Sequence, residues 1–290
     1  MSNTDLIIEE RSRDIGDFLV GRLIPFRKKR MVGPFIFIDH MGPSTIGPGH
    51  YMDIGQHPHI GLSTLTFLLE GEIMHRDTLG TEQLVTPRSV GWMTSGRGIV
   101  HTERSPAHLR DGGQYPVHGY QIWVALPKAL QRMEPEFSFT PADQLPSWQD
   151  GELSFTLVAG EGYGRQSPVP VFSELFMVEV QSQGSDVLDI KGQVRGEVGV
   201  CIVDGHIEAC GERIEKGNML VSKEEDICRI VLGENSHVFL FGGQPFAEER
   251  HIYWNFVSTE KELIEEAKER WANKAFDMVP GEKGYIPLPG

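Results

Sequence analysis

The chain of 290 residues has only three cysteines, all in its last third. So small and odd a number argues against a disulfide framework, fits a reducing compartment, and predicts buried or free thiols. The sequence also lacks an apolar run of about eighteen residues, and its acidic N-terminus lacks the cationic start of a signal peptide. These absences predict a soluble, cytoplasmic protein that does not contact a membrane.

Basic residues are scarce relative to acidic ones. The chain has 27 lysines and arginines against 41 aspartates and glutamates, which gives a formal net charge of -14. Because so acidic a chain is repelled by a phosphate backbone, we expect no direct binding to nucleic acid. With 39% hydrophobic and 9% aromatic residues, the composition is otherwise that of an ordinary globular protein.

Glycine and proline are plentiful, with 33 and 18 residues spread along the whole length. They divide the chain into short apolar or alternating segments, which is typical of an all-β protein built as a sandwich or barrel. The predicted strands run from Phe35 to Ile38, Ser63 to Leu69, Tyr120 to Ala125, Leu153 to Ala159, Leu175 to Val180, Glu197 to Val203 and His237 to Phe241.

One short helix is predicted near the C-terminus, from Glu260 to Asn273. Thr259 and Glu262 have the spacing of a capping box, in which each side chain bonds a backbone N–H at the start of the helix. The apolar residues that share one face of this helix are Leu263, Ile264, Ala267 and Trp271.

Two similar halves are suggested by an internal repeat. The segment from Phe67 to Ile73 can be laid over the segment from Cys201 to Ile207, which matches an apolar strand, an acidic-glycine turn and a returning isoleucine. Between the halves, Glu134 to Gly151 holds three prolines and no periodicity, so it is the predicted linker. We therefore expect two β-domains, at residues 1–138 and 147–290.

Histidine and glutamate alternate at two places in the first half. In an extended segment, residues i and i+2 point to the same face, so His57 with His59 and His101 with Glu103 each form a two-residue clamp. Two such clamps facing each other would offer three imidazoles and one carboxylate, a set that suits a divalent first-row metal and leaves positions open for water, O2 or substrate. The alternative is that each is an ordinary surface or capping pair.

The second half lacks this set of residues. In the repeat alignment the four counterparts are Lys191, Gln193, Cys228 and Ile230. A requirement of the fold alone would preserve the residue types in both halves, whereas a site used once need be kept only once. The sequence therefore predicts one metal, in the N-terminal half.

His75 and Asp77 also alternate on one face. His75 could orient a metal ligand or act as an acid or base in the pocket. The favoured interpretation is a structural polar pair.

Several motifs stand in a fixed order along the chain. They run from Arg30 to Pro43, His57 to Gly80, Gly91 to Glu103 and His118 to Trp123, followed by Phe241 to Gly243 and His251 to Ser258. Together they resemble the pirin family of the cupin superfamily, and the last two look like the tail of bacterial members. The resemblance implies two antiparallel, jelly-roll-like cupin barrels: a metal-binding one in residues 1–138, and a degenerate one, with the short helix, in 147–290.

The resemblance also implies one metal, usually iron and here expected as Fe(II), although such a ligand set also accepts Mn, Co, Ni, Cu or Zn. The family's ligands correspond to His57, His59, His101 and Glu103. As expected for pirins, Ser63 stands where general cupins have a glutamate. One departure is local: the family usually has a Pro-Gly-Asp turn where this chain has Pro87, Arg88 and Ser89.

Two functions follow from the resemblance. The first is a metal-dependent dioxygenase that opens a flavonol such as quercetin, or another aromatic enol, with O2; Glu103 would be both ligand and general base. The second is a regulatory binding protein, a redox sensor or transcription cofactor with a protein partner and no catalysis. A third expectation is a bicupin that has kept its metal and lost its activity.

Overall fold

The computed structural model describes residues 4–14, 19–222 and 229–290. The strands of the first half are β1 (Thr4–Glu9), β2 (Arg11–Asp14), β3 (Leu19–Ile24), β4 (Phe35–Ile46), β5 (Asp53–His59), β6 (Leu62–Glu70), β7 (Ile73–Asp77), β8 (Glu82–Val85), β9 (Val90–Thr94), β10 (Ile99–Arg104), β11 (Tyr115–Ala125), β12 (Glu136–Thr140) and β13 (Ser147–Asp150). Those of the second half are β14 (Leu153–Gly162), β15 (Arg165–Gln166), β16 (Leu175–Ser182), β17 (Asp186–Leu188), β18 (Glu197–Asp204), β19 (His206–Ala209), β20 (Glu212–Glu215), β21 (Asn218–Ser222), β22 (Ile230–Leu232), β23 (His237–Gly243), β24 (His251–Tyr253) and β25 (Phe256–Ser258). Helix α1 (Lys261–Ala272) follows them.

The all-β prediction is confirmed, and each predicted strand lies within an observed one, namely β4, β6, β11, β14, β16, β18 and β23. The largest difference is at β4, which continues beyond the predicted end at Ile38 to Ile46. Asp39, a turn former in local sequence terms, follows the predicted end, but it and His40 are both buried in the strand. Tertiary burial therefore extends a strand that local composition would end.

The chain divides into two compact units that interleave in sequence. The first unit comprises the described parts of Arg13–Val20, Asp39–Phe139 and Ala247–Gly290, and the second those of Met1–Ser12, Gly21–Ile38 and Thr140–Phe246. The chain passes between the units near Thr140, inside the predicted linker. The division nevertheless differs from the linear one at 1–138 and 147–290, because β1 pairs with β21 and the segment containing α1 belongs with the first half.

The two units repeat one strand order, which confirms the predicted internal repeat. The larger sheets run β12-β9-β6-β11-β4-β3-β2 and β1-β21-β18-β23-β16-β14-β13, and the smaller ones run β5-β10-β7-β8 and β17-β22-β19-β20. Strand pairs are antiparallel. β6 and β18 occupy the same place in the order, as the alignment of Phe67 with Cys201 requires. Position by position, this is an antiparallel bicupin.

Helix α1 buries the face that the sequence predicts: Leu263, Ile264, Ala267 and Trp271. The predicted capping box is wrong. The cap is Glu260, and it makes no side-chain capping bond. Thr259 is engaged elsewhere, because its backbone N–H and its hydroxyl both donate to Oε1 of Gln131, at 3.1 and 3.3 Å.

The turn at Pro87, Arg88 and Ser89 keeps a shape that favours glycine. Arg88 has a φ of 62°, in the left-handed region that costs a side chain roughly 1–2 kcal/mol. Ser89 supports the turn, since its Oγ donates to the carbonyl of Thr86 at 2.7 Å and accepts from the N–H of Thr86 at 3.1 Å. Arg88 therefore adopts the left-handed backbone conformation that a glycine would adopt without strain.

The cysteines differ in part from the expectation of three thiols. Cys201 is buried in β18, whereas Cys210 is disulfide-bonded; Cys228 lies outside the described residues. An odd total leaves one thiol over but does not forbid a single bridge, so counting alone misses it. No helix in the described part of the chain has the length and hydrophobicity needed to span a bilayer.

Candidate metal centre

The smaller sheet of the first unit carries the candidate residues. β10 lies between β5 and β7, so that His101 faces His57 on one side and Asp77 on the other. Two residues further on, Glu103 faces Ile54. Between these two pairs, Gly55 and Gln56 of β5 oppose the single residue Thr102 of β10. This is a β-bulge, a feature that often changes the direction of side chains beside functional sites.

A tight turn leads into β10. Gly96 has a φ of 48°, and a Cβ there would collide with the backbone oxygen of Met133. This glycine turn directly precedes β10, in which His101 is fully buried.

Three imidazoles meet at one point. His57, His59 and His101 are each less than a tenth exposed, and one ring nitrogen from each lies within 4.8 Å of the others. Nε2 of His59 is 3.1 Å from Nε2 of His101. Neighbouring nitrogens at right angles around a metal, with bonds of ~2.1 Å, are about 3.0 Å apart. The spacing therefore fits two adjacent metal ligands.

Hydrogen bonds orient two of these rings. Nδ1 of His57 donates to the carbonyl of Gly55 at 2.8 Å, which leaves its Nε2 lone pair free to bind a metal. Nδ1 of His101 lies 3.4 Å from Nδ1 of His75, whose Nε2 lies 3.0 Å from Oδ2 of Asp77. Because an ionised Asp77 only accepts, His75 donates to it and presents a lone pair to His101.

His75 and Asp77 therefore form the predicted polar pair and also orient a candidate ligand. Burial alone would raise the pKa of Asp77, but hydrogen bonds from His75 and from Thr81 lower it. The carboxylate thus stays ionised and fixes the proton on His75.

The triad is electrically suited to a cation. Burial lowers the pKa of His57 to about 4 and holds the pKa values of His59 and His101 well below the usual range. Neutral imidazole is the form that binds metals. Nδ1 of His59, the ring nitrogen that does not face His101, has no hydrogen-bond partner among the described residues, so this ring lacks the orienting hydrogen bond that His57 has. The donor set fits a divalent transition metal.

Glu103 lies on the same side of β10 but outside the group of mutually close ligand atoms. Its Oε1 is 3.3 Å from the hydroxyl of Thr66, which donates to Oε1 of Gln121 at 2.9 Å, and the Gln121 side chain also hydrogen-bonds the carboxylate. Burial raises the pKa of Glu103. The structure brings the three histidines together; that they and Glu103 bind a metal stays a prediction.

Thr66 and Gln121 were not identified from the sequence. They face each other across β6 and β11, and nothing in the local pattern of either strand shows that register. The available signal in the sequence was that Thr66 stands between the apolar residues Leu65 and Phe67 in a predicted strand.

The second unit shows what replaces the site. Ile230 faces Leu188 in the same register in which Glu103 faces Ile54, and Ala209 faces Ile230 as His75 faces Glu103. Ile230 and its neighbours belong to the apolar core of that unit. The predicted replacement of Glu103 by Ile230 is therefore matched by the strand register, whereas Cys228, aligned with His101, lies outside the described residues.

Acid should destabilise the metal-free protein. His57 has a folded-state pKa of about 4 against roughly 6.5 when unfolded, so the unfolded chain binds the proton more tightly. Stability is therefore complete above pH ~6.5 and is lost as the pH falls toward 4, by ~3 kcal/mol from this one group. Urea unfolding of the metal-free protein at several pH values measures the slope. His57→Gln should flatten it; an equal slope in both proteins would contradict this origin.

Two repeated antiparallel barrels, with a buried histidine triad in the first, define a bicupin with a candidate metal centre. The Pirin family model matches residues 18–124, and the model for the Pirin C-terminal cupin domain matches residues 177–277. The chain belongs to the pirin family.

Three similar proteins align with most of the chain. A pirin-like protein of Caulobacter vibrioides is 41% identical over 98% of this chain and 99% of its own. The crystal structure of a quercetin 2,3-dioxygenase from Acinetobacter baumannii, 34% identical, superposes with a TM-score of 0.89 over 98% of this chain and 95% of that one. Human pirin is 27% identical over 90% of this chain and 89% of its own.

Proposed function

We propose that this protein is a metal-dependent dioxygenase that opens a flavonol such as quercetin, or a related aromatic enol, with O2. The observation that carries the proposal is the buried, neutral triad of His57, His59 and His101 with a buried carboxylate two residues beyond it. The similar Acinetobacter protein, which is named for this reaction, supports the choice of substrate.

His57, His59 and His101 would hold the metal, with Glu103 as the fourth ligand and Fe(II) as the expected ion. When bound, the metal supplies Lewis acidity that stabilises the oxyanion of a deprotonated enol. The same donors accept Mn, Co, Ni, Cu or Zn, so availability decides which ion is loaded.

Glu103 would take the proton from the enolic hydroxyl of the substrate. Its pKa is raised by burial, which makes it a stronger base than an exposed carboxylate. Thr66 and Gln121 hold the carboxylate in one orientation. The enclosure of the whole set keeps bulk water from competing for that proton.

Oxygen uptake with quercetin and a small panel of flavonols tests the proposal. The protein loaded with each metal in turn should consume O2 faster than the same concentration of free metal. His59→Ala, treated in the same way, should not. No uptake above free metal in the wild type would overturn the proposal and favour a metal-dependent regulatory protein, which binds the ion and a protein partner without turnover.

One equivalent of metal per chain is expected, held by the first unit. Ile230 and Ala209 stand in the second unit where Glu103 and His75 stand in the first, and aliphatic side chains bind no metal. Elemental analysis of the purified protein measures the stoichiometry, and His59→Ala shows which site holds the ion. Two equivalents, or one that survives in His59→Ala, would contradict the assignment.

A further inference from the structure

We infer that the C-terminal tail, defined as residues 279–286, is part of the scaffold of the metal centre. Two positioning residues connect the tail to the sheet: Gln56, which lies in β5, and Glu282, which lies in the tail. Both contacts are on the side of the sheet that faces away from the histidines. The inference rests on the proposed function in one respect only, that the triad binds a metal.

The two faces of the smaller sheet carry different side chains. Along β7, His75 and Asp77 are buried on the inner face and Arg76 alternates with them on the outer face. Arg104 ends β10 one residue after Glu103, on the same outer face. Side chains on the outer face can therefore contact other parts of the chain without lying among the histidines.

Gln56 fastens the tail to the bulge in β5. Its carbonyl accepts from the N–H of Ile286 at 2.8 Å, its Oε1 accepts from the N–H of Val279 at 2.8 Å, and its Nε2 donates to the carbonyl of Gly284 at 2.5 Å. A bulge disrupts the ladder locally and leaves the extra residue unpaired. The tail supplies partners there.

This attachment lies directly beside a candidate ligand. Gln56 precedes His57, and the carbonyl that orients His57 belongs to Gly55, the residue before Gln56. Any shift of the bulge therefore moves both the backbone of His57 and the acceptor that sets the rotation of its ring.

Glu282 completes a line of charges across all four strands of the sheet. Its two oxygens lie 2.8 Å from Arg104 on β10 and 3.3 Å from Arg76 on β7. Arg104 continues to Asp53 on β5 at 2.9 Å, and Arg76 to Glu82 on β8 at 3.4 Å. The Glu282 side chain is only 12% exposed. It therefore ties together the two strands that carry His101 and His75.

The tail is itself held in place. The indole N–H of Trp271 in α1 donates to the carbonyl of Ile286 at 2.9 Å. Val279 and Trp271 are buried in one apolar cluster with Ile60 and Val100, residues that neighbour His59 and His101 in sequence. The helix thus anchors the tail against the strands that bear the ligands.

Metal affinity provides the test. In Gln56→Ala and Glu282→Gln, the affinity for Co²⁺, measured by competition with a chromophoric chelator, should fall roughly 10- to 100-fold, the usual effect of losing a partner that orients a ligand. The visible absorption of bound Co²⁺ should change in band position or intensity. Gln149→Ala on β13 and Glu265→Gln on α1 are matched controls that should keep wild-type values. Circular dichroism checks folding.

A purely structural role would lower the melting temperature of the metal-free variants without changing the affinity or the Co²⁺ spectrum of the folded protein, and this result would overturn the inference. If Gln56→Ala does not fold, Glu282→Gln decides alone. His59→Ala separates the two hypotheses: Co²⁺ binding that is unaffected by His59→Ala refutes the metal centre itself. Binding that depends on His59 but ignores Gln56 and Glu282 refutes only the role of the tail.

Discussion

His101→Ala should abolish tight metal binding while the protein stays folded. The substitution removes one of three imidazoles that converge within 4.8 Å, so the loss should exceed the roughly 10- to 100-fold caused by removing an orienting partner. The apolar cores of both units are untouched. His206→Ala, in the second unit, is the control and should bind metal as the wild type does.

Metal content and circular dichroism, measured on the same samples, give the answer. A folded His101→Ala protein with little or no metal supports the assignment. Global unfolding would show that the metal is structural, as in domains that fold only when loaded. A full equivalent of metal in the variant would place the ion elsewhere.

Much of the fold was predictable because turns and alternation are local signals. The strands end near the glycines and acidic residues that the sequence shows, and the helix face follows from a period of 3.6 residues. The assignment of the N-terminal strand β1 to the second unit was not predictable. It depends on the pairing of β1 with β21, which lies more than two hundred residues away in the sequence. The predicted capping box is wrong for the same reason, a contact between residues distant in sequence: the backbone N–H and the hydroxyl of Thr259 donate to the side chain of Gln131.

The candidate site divides in the same way. His57, His59 and His101 were found because a spacing of two residues in a strand is a one-dimensional pattern. The bulge at Gln56 was not found, since it exists only in the pairing of β5 with β10. Thr66 and Gln121 reach Glu103 through strand register, and the tail reaches Gln56 through a return of the chain over 223 residues or more. The spacing in the sequence thus identified the three histidines, whereas the residues that position them are known only from the tertiary structure.

Glu103→Gln should separate catalysis from binding. Glutamine keeps the size of the side chain and an oxygen donor but loses the negative charge and nearly all basicity, so metal held by three imidazoles should remain, more weakly. If Glu103 is the base, flavonol turnover should fall by roughly two to four powers of ten, the contribution of a positioned general base. Glu136→Gln, an exposed position on β12, is the control and should leave turnover unchanged.

Oxygen uptake with quercetin, at matched metal occupancy, decides the role of Glu103. Matching the occupancy matters because Glu103 is also proposed as a ligand, so a lower rate could otherwise reflect an emptier site. Turnover that survives unchanged in Glu103→Gln would refute its role as the base, although the triad could still bind the metal. If neither protein consumes O2 faster than free metal does, Glu103 does not act as a catalytic base. Its burial beside Thr66 and Gln121 would then belong to a site that binds an ion to control a partner.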